Sequence, residues 1–114
     1  MIGCALRVHS ELGPGLFESA YEACLAHEFG KSNLAFGRQV KLPMRYAGVQ
    51  LDMAYIADFI VESSVLVELK CVERTLPIHH AQVLTYLRLS GLKKGLLINF
   101  NSERLKDGIK SFVM

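Results

Sequence analysis

Two carboxylates and a lysine on neighbouring apolar segments are the side chains of this sequence best suited to chemistry. Glu68 and Lys70 interrupt the otherwise apolar run Val65–Val72, and Asp58 interrupts the apolar run Ala57–Val61. Because side chains alternate between the two faces of a strand, Glu68 and Lys70 are expected to point the same way, roughly 7 Å apart. Burying a charge costs about several kcal/mol unless it is paired or binds an ion, so the pattern indicates a functional site.

A short turn brings the two segments together. Folding the chain about Ser63-Ser64 pairs residue 60 with residue 67 and residue 58 with residue 69, within one residue of register. Asp58 then comes level with Glu68 and Lys70. The sequence therefore predicts that two carboxylates and one ammonium group converge at a single point.

The donor types at this point favour a magnesium or manganese site. Hard oxygen ligands such as the Asp58 and Glu68 carboxylates select Mg²⁺ or Mn²⁺, and the backbone carbonyl of Leu69 can add a third ligand. Such an ion lowers the pKa of a bound water and offsets charge on a phosphate, while Lys70 can orient that water or neutralise developing charge. This chemistry suits the hydrolysis of phosphodiester bonds. The competing explanation is a buried Asp–Lys or Glu–Lys ion pair without function.

Length and charge limit the class of protein. The 114 residues predict one domain, residues 1–114, and an apolar content of 51% is enough for a core. With 13 basic against 11 acidic residues, nucleic acid would have to be bound by a local patch, not by bulk charge. Five basic residues near the C-terminus provide one candidate patch, the alternative being an ordinary solvated basic surface: Lys93, Lys94, Arg104, Lys106 and Lys110.

Cysteine usage and hydropathy predict a cytoplasmic protein. The three cysteines are an odd number without the spacing of a metal site, which is typical of reduced buried thiols. The start lacks a basic segment followed by an unbroken apolar run, so no signal peptide is expected. No apolar stretch approaches the roughly 20 residues that a membrane span needs, so no membrane association is expected.

The coarse pattern of the chain predicts an α/β fold with a mixed four-stranded sheet flanked by helices. Tyr21, Leu25 and Phe29 recur at a helical spacing, and Tyr21 is expected to pack in the core. The expected helices cover 2–12, from Pro14 or Gly15 to Phe29, and 78–90; the expected strands cover 35–47, 49–62, 65–72 and 95–99. Residues 102–114 are expected to form a last helix or a short strand.

In this order and spacing, Asp58 followed by Glu68-Leu69-Lys70 resembles the PD-(D/E)XK nuclease superfamily. The segment Gly15-Leu16-Phe17-Glu18-Ser19-Ala20-Tyr21 matches G-x-x-E-x-x-Y, so the chain is similar to the GxxExxY family of that superfamily. The segments around Asp58 and Glu68 and the run from Gly95 to Phe100 also look like that family. The resemblance extends from Ile2 to about Asn101.

The resemblance implies a restriction-endonuclease-like core and a Mg²⁺-dependent nuclease acting on nucleic acid, with DNA as the expected substrate. It further implies that Glu18 faces the metal site, although an acid in the first turn also simply suits the helix dipole. Gln82 and Tyr86 match a Q-x-x-x-Y element and share one helix face. They are expected to line the site; the alternative is a packed tyrosine with a hydrogen-bonding glutamine. A homodimer, which would cut two strands, is expected by analogy.

A non-catalytic binding or assembly module that retains the nuclease scaffold is the second hypothesis. The small size, the nearly neutral charge and Ile56 favour it, because a basic residue is expected in this family at the position of Ile56. Ala57 replaces the proline of the superfamily motif, which is a common variation. Metal binding discriminates between the two hypotheses.

Overall fold

The chain folds into three α-helices and five β-strands, described over residues 1–114 by a computed structural model. In chain order the elements are α1 (Ile2–Leu12), α2 (Glu18–Lys31), β1 (Phe36–Tyr46), β2 (Val49–Val61), β3 (Val65–Lys70), α3 (Pro77–Ser90), β4 (Lys94–Asn99), a 3-10 turn (Leu105–Gly108) and β5 (Ile109–Val113). None of the helices has the length and hydropathy to cross a membrane.

The strands form one mixed sheet in the order β1-β2-β3-β4-β5. Only β3 and β4 are parallel, and α3 makes the crossover between them, as the sequence pattern predicts. The prediction of four strands is wrong by one, because Ile109–Val113 pairs antiparallel with β4 as a fifth strand. The sequence was compatible with either a helix or a strand in this segment. Pairing with the free edge of β4 makes it a strand.

The second helix begins at Glu18, three residues later than the latest predicted start at Gly15. Gly13 and Gly15 both adopt left-handed backbone, with φ of 67° and 98°, which excludes them from a helix. The Tyr21 hydroxyl donates to the Gly13 carbonyl and accepts from the Leu16 N–H at 3.2 Å. These two bonds hold the entry loop in a fixed shape and thereby set the position of Glu18.

The two helical layers cover opposite faces of the sheet. Tyr21, Leu25 and Phe29 of α2 are buried at their helical spacing, as predicted, and Tyr21 stacks on Phe100 at 4.6 Å between ring centroids. On the other face, α3 packs onto Leu66 and Leu97 through its own buried side chains, Val83, Tyr86 and Leu87.

The β1–β2 ribbon changes its packing partner midway along its length. Phe59 and Val61 pack in the cluster under α1 and α2, whereas Ala57, two residues earlier on the same strand, packs in the cluster under α3. Because alternate residues of a regular strand share one face, β2 must twist at Asp58. Gln39, which lies beside this point on β1, adopts left-handed backbone with φ of 53°. Asp58 therefore sits where the ribbon crosses from one layer to the other.

Replacing Tyr21 with phenylalanine should destabilise the fold. The Tyr21→Phe variant keeps the ring stack but removes both hydrogen bonds of the hydroxyl, which should lower the free energy of unfolding by about 1–2 kcal/mol. Urea unfolding measures the change. Tyr46→Phe is the control, since Tyr46 is 71% exposed and should unfold like the wild type. Equal stability of all three proteins would refute this role of the hydroxyl.

Candidate active site

The site forms where β2 and β3 separate. These strands pair at only three positions, from Val61–Val65 to Phe59–Val67. Beyond them, side-chain carboxylates accept the backbone N–H bonds that carbonyl groups accept in a regular ladder. The Asp58 N–H donates to Glu68 Oε1 at 2.7 Å, and the Leu69 N–H donates to Asp58 Oδ2 at 2.8 Å. We call this region the fork, defined as residues 58 and 68–70. Each acid thus accepts a bond from the opposite strand and stands beside the other acid.

The register of the hairpin differs by one residue from the central prediction. Ile60 faces Leu66, not Val67, so Asp58 stands opposite Glu68, not Leu69. The turn causes the shift: Ser64 N–H donates to the Val61 carbonyl, and the two intervening residues both adopt left-handed backbone. A one-residue slip moves a side chain to the other face of a strand, so this register is what brings the two carboxylates together.

The Glu68 carboxylate is the most strongly perturbed group in the chain. Glu68 is only 4% exposed. Burial, followed by the nearby charge of Asp58, raises the pKa of Glu68 from 4.5 to about 8. The half-buried Asp58 also has a raised pKa, chiefly because of burial, although the bond from the Leu69 N–H opposes the rise. Without a cation, the pair therefore holds a proton at neutral pH that two ordinary carboxylic acids would have released.

Lys70 lies at the end of β3 without an acidic partner. The chain has two ion pairs, Arg7–Glu28 and Arg38–Glu22, and neither involves the fork. The Lys70 charge still lowers the pKa of both Asp58 and Glu68, so its ammonium group lies within electrostatic range of them. The buried ion pair offered as a functionless explanation is therefore absent.

Glu18 approaches the fork from the first turn of α2. Partial burial raises the pKa of Glu18, and the charge of Asp58 raises it further, while Lys70 opposes the rise. Glu18 makes no hydrogen bond to either of the fork carboxylates. The structure therefore places Glu18 within electrostatic range of the fork carboxylates but shows no hydrogen bond between them.

Gln82 and Tyr86 lie on the other side of the fork, on α3. The Gln82 amide donates to the Tyr86 hydroxyl at 2.8 Å, and the Tyr86 ring packs 5.6 Å from that of Tyr55. Burial raises the pKa of Tyr86, and the charges of Glu68 and Asp58 add to the rise. Neither residue bonds to the fork carboxylates. They line an open cavity of about 450 Å³, together with Tyr55, Ile78, His79, Ala81 and Thr85.

Two further residues at the site, Glu22 and Gln39, were not predicted from the sequence. Glu22 lies one helical turn after Glu18, a spacing that was available as a signal. The Gln39 amide donates to Glu22 Oε1 and also lies 3.4 Å from Asp58 Oδ1. Gln39 had no sequence signal, because its position beside Asp58 depends on the register of the β1–β2 ribbon.

The free oxygens of the fork define which residues can hold a metal. No cluster of three or more His, Cys, Asp or Glu side chains is arranged to bind an ion. Two carboxylates do converge, however, and each has one oxygen not engaged by the backbone of the opposite strand. The N–H and C=O of one strand residue point to the same side, so the Leu69 carbonyl faces the gap as well. Two carboxylates and a carbonyl suit Mg²⁺, which retains several waters.

The raised pKa of Glu68 predicts that the metal-free protein loses stability as the pH rises. Below about pH 4.5 the Glu68 carboxyl is protonated in both the folded and the unfolded chain. Between pH 4.5 and about 8 only the unfolded chain releases the proton, so stability should fall by up to about 1.4 kcal/mol per pH unit. Urea unfolding from pH 5 to pH 8 measures this slope.

The Glu68→Gln variant should show a shallower slope and exceed the wild type in stability at pH 8. The control is Glu103→Gln, which replaces an exposed acid and should keep the wild-type slope. Identical slopes for wild type and Glu68→Gln would contradict the assignment.

Comparisons with known proteins identify the superfamily and the fold of the chain. The family model described as "PD-(D/E)XK nuclease superfamily" matches residues 1–112. A solved structure described as "Crystal structure of SSO0001" superposes with a TM-score of 0.52 at 19% identity, which shows a common fold. The superposition covers 96% of this chain and 60% of that one, so this chain spans less than two thirds of that protein. No curated protein matches. Since the family match covers nearly the whole sequence, the chain belongs to the PD-(D/E)XK nuclease superfamily.

Proposed function

We propose that this protein is a Mg²⁺-dependent nuclease that hydrolyses phosphodiester bonds in nucleic acid, with DNA as its substrate. One observation carries the proposal: two desolvated carboxylates stand opposite each other at the fork without a cationic partner. Such an arrangement weakens the metal-free fold, and a bound divalent cation would relieve the repulsion and replace the extra proton. Mn²⁺ would bind to the same oxygens.

Each site residue has a distinct role in this proposal. Asp58, Glu68 and the Leu69 carbonyl hold the ion, and the two backbone N–H donors keep the carboxylates oriented. When bound, the ion supplies an activated water and neutralises charge on the scissile phosphate. Lys70 is free of ion pairs, so its ammonium group can orient the attacking water or stabilise the charge that develops on the phosphate.

The helices shape the site around these groups. Glu18 presents a further carboxylate from α2, and its position depends on the entry loop held by Tyr21. This gives the G-x-x-E-x-x-Y pattern a physical meaning and supports assignment to the GxxExxY family. Gln82 and Tyr86, joined by their hydrogen bond, form the α3 wall where substrate would pass. We further propose a cytoplasmic protein that acts as a homodimer on duplex substrates.

The binding-module hypothesis rested partly on Ile56, and the sheet register weakens that support. Ile56 faces Lys41 across the β1–β2 ladder. Facing residues share one face of a sheet, so a basic side chain does stand beside this position, supplied by the neighbouring strand. The competing explanation of the site, a functionless ion pair between Lys70 and a fork carboxylate, also lacks support, since no such ion pair exists.

Replacing Lys70 should remove nuclease activity and leave the fold intact. With Mg²⁺ or Mn²⁺, the wild type should cut at least one of single-stranded, duplex or branched nucleic acids, whereas Lys70→Ala should be slower by about 100-fold or more. Lys31→Ala, which changes an exposed lysine at the end of α2, outside both the fork and the C-terminal basic patch, is the matched control. Cleavage that survives chelation of the metal, or no cleavage of any of these substrates, would count against a metal-dependent nuclease.

Calorimetric titration with Mn²⁺ tests the metal centre without depending on substrate choice. The wild type should bind Mn²⁺, and Asp58→Asn should weaken binding by at least about tenfold because one anionic ligand is lost. Asp52→Asn removes an exposed carboxylate from the same strand and should bind like the wild type. No heat of binding in the wild type would favour the non-catalytic module.

A further inference from the structure

The Gln39 amide connects helix α2 to the fork. The Arg38 guanidinium donates to Glu22 Oε2 at 2.9 Å, and the Gln39 amide donates to the other oxygen of the same carboxylate. The same amide nitrogen lies 3.4 Å from Asp58 Oδ1. A continuous polar chain therefore runs from Glu22 on α2, through Gln39 on β1, to Asp58 on β2.

We propose that Gln39 is a positioning residue, which orients Asp58 for metal binding. The inference rests on the proposed metal centre and names a residue that acts on it without binding the ion. Leu69 N–H already holds Asp58 Oδ2, so Oδ1 is the oxygen left for a metal. A second donor on the Oδ1 side fixes the plane of the carboxylate, and a carboxylate oxygen can accept this bond and still coordinate an ion.

A neutral amide is well matched to this place. Burial raises the pKa of Asp58 and of Glu18, and the charge of Glu22 adds to both rises, so Glu22 and Asp58 repel each other. The amide of Gln39 donates to both carboxylates and adds no charge of its own. A lysine here would compete with the metal for the same oxygens, and an acid would add to the repulsion.

The backbone at Gln39 argues that its side chain matters. Its φ of 53° lies in the left-handed region, which costs a residue with a side chain more conformational energy than it costs glycine. Gln39 is exposed and belongs to neither apolar cluster, so core packing does not explain the side chain. Strained backbone of this kind persists where the surroundings hold it, often at functional sites.

Because Gln39 has both a left-handed backbone and a bridging amide, one substitution can be tested for opposite effects on thermal stability and on metal affinity. Gln39→Gly relaxes the backbone and removes the amide, so its melting temperature should equal or exceed that of the wild type while its Mn²⁺ affinity falls by about tenfold. Ala47→Gly is the matched control, because Ala47 is exposed with φ of 51° and lies at the tip of the ribbon. This control should gain the same stability and keep wild-type affinity.

The bridge can also be observed in the metal-free protein. The Gln39 side-chain amide should give a shifted NMR resonance that moves when Glu22→Gln removes its charged acceptor. Glu28→Gln is the control, since Glu28 pairs with Arg7 away from the fork, and it should leave that resonance unchanged. An unmoved Gln39 resonance in Glu22→Gln would overturn the bridge.

The outcomes separate failure of this inference from failure of the proposed function. Wild-type affinity in Gln39→Gly would overturn the positioning role and leave the metal centre standing. Loss of affinity together with a lower melting temperature would show that Gln39 supports the fold alone, and would likewise overturn the role. A wild type that binds no Mn²⁺ would remove the metal centre itself, and with it the group that Gln39 is proposed to orient.

Discussion

The exchange of backbone hydrogen bonds for carboxylate bonds at the fork is the interaction on which the site depends. A buried backbone N–H without a partner is costly, so the N–H groups of Asp58 and Leu69 must be satisfied once β2 and β3 part. The carboxylates of Glu68 and Asp58 satisfy them. The same bonds that close the sheet therefore aim the acids into the gap. A carboxylate at either position is a structural element and a potential metal ligand at once.

The electrostatics of the fork follow from this arrangement. Accepting backbone bonds requires the acids to be close together and partly desolvated, and both conditions oppose ionisation. Lys70 moderates the repulsion without pairing with either acid. The repulsion between the two acids opposes the stability of the metal-free protein, and the proposed divalent cation would relieve it. Such local instability is common where a site is built for a ligand that the fold itself does not contain.

The helices contribute by fixing what surrounds the fork. Tyr21 joins the aromatic core through Phe100 and holds the loop that precedes Glu18, so the core and the site share one residue. On the opposite face, Tyr86 of α3 also joins the core to the site. Its ring is buried in the core, and its hydroxyl accepts a hydrogen bond from the Gln82 amide at the edge of the cavity.

Local patterns in the sequence predicted most of the elements and the approximate level at which Asp58 meets Glu68 and Lys70. The period of two along β3 put Glu68 and Lys70 on one side, and the short turn brought Asp58 to them, because these are relations between near neighbours in the chain. Long-range relations were decided only in three dimensions. The left-handed turn residues Glu62 and Ser63 shifted the register by one, an available edge of β4 recruited β5, and the twist of the ribbon brought Gln39 to Asp58. No local period encodes these outcomes, since each depends on backbone torsions or on partners distant in sequence.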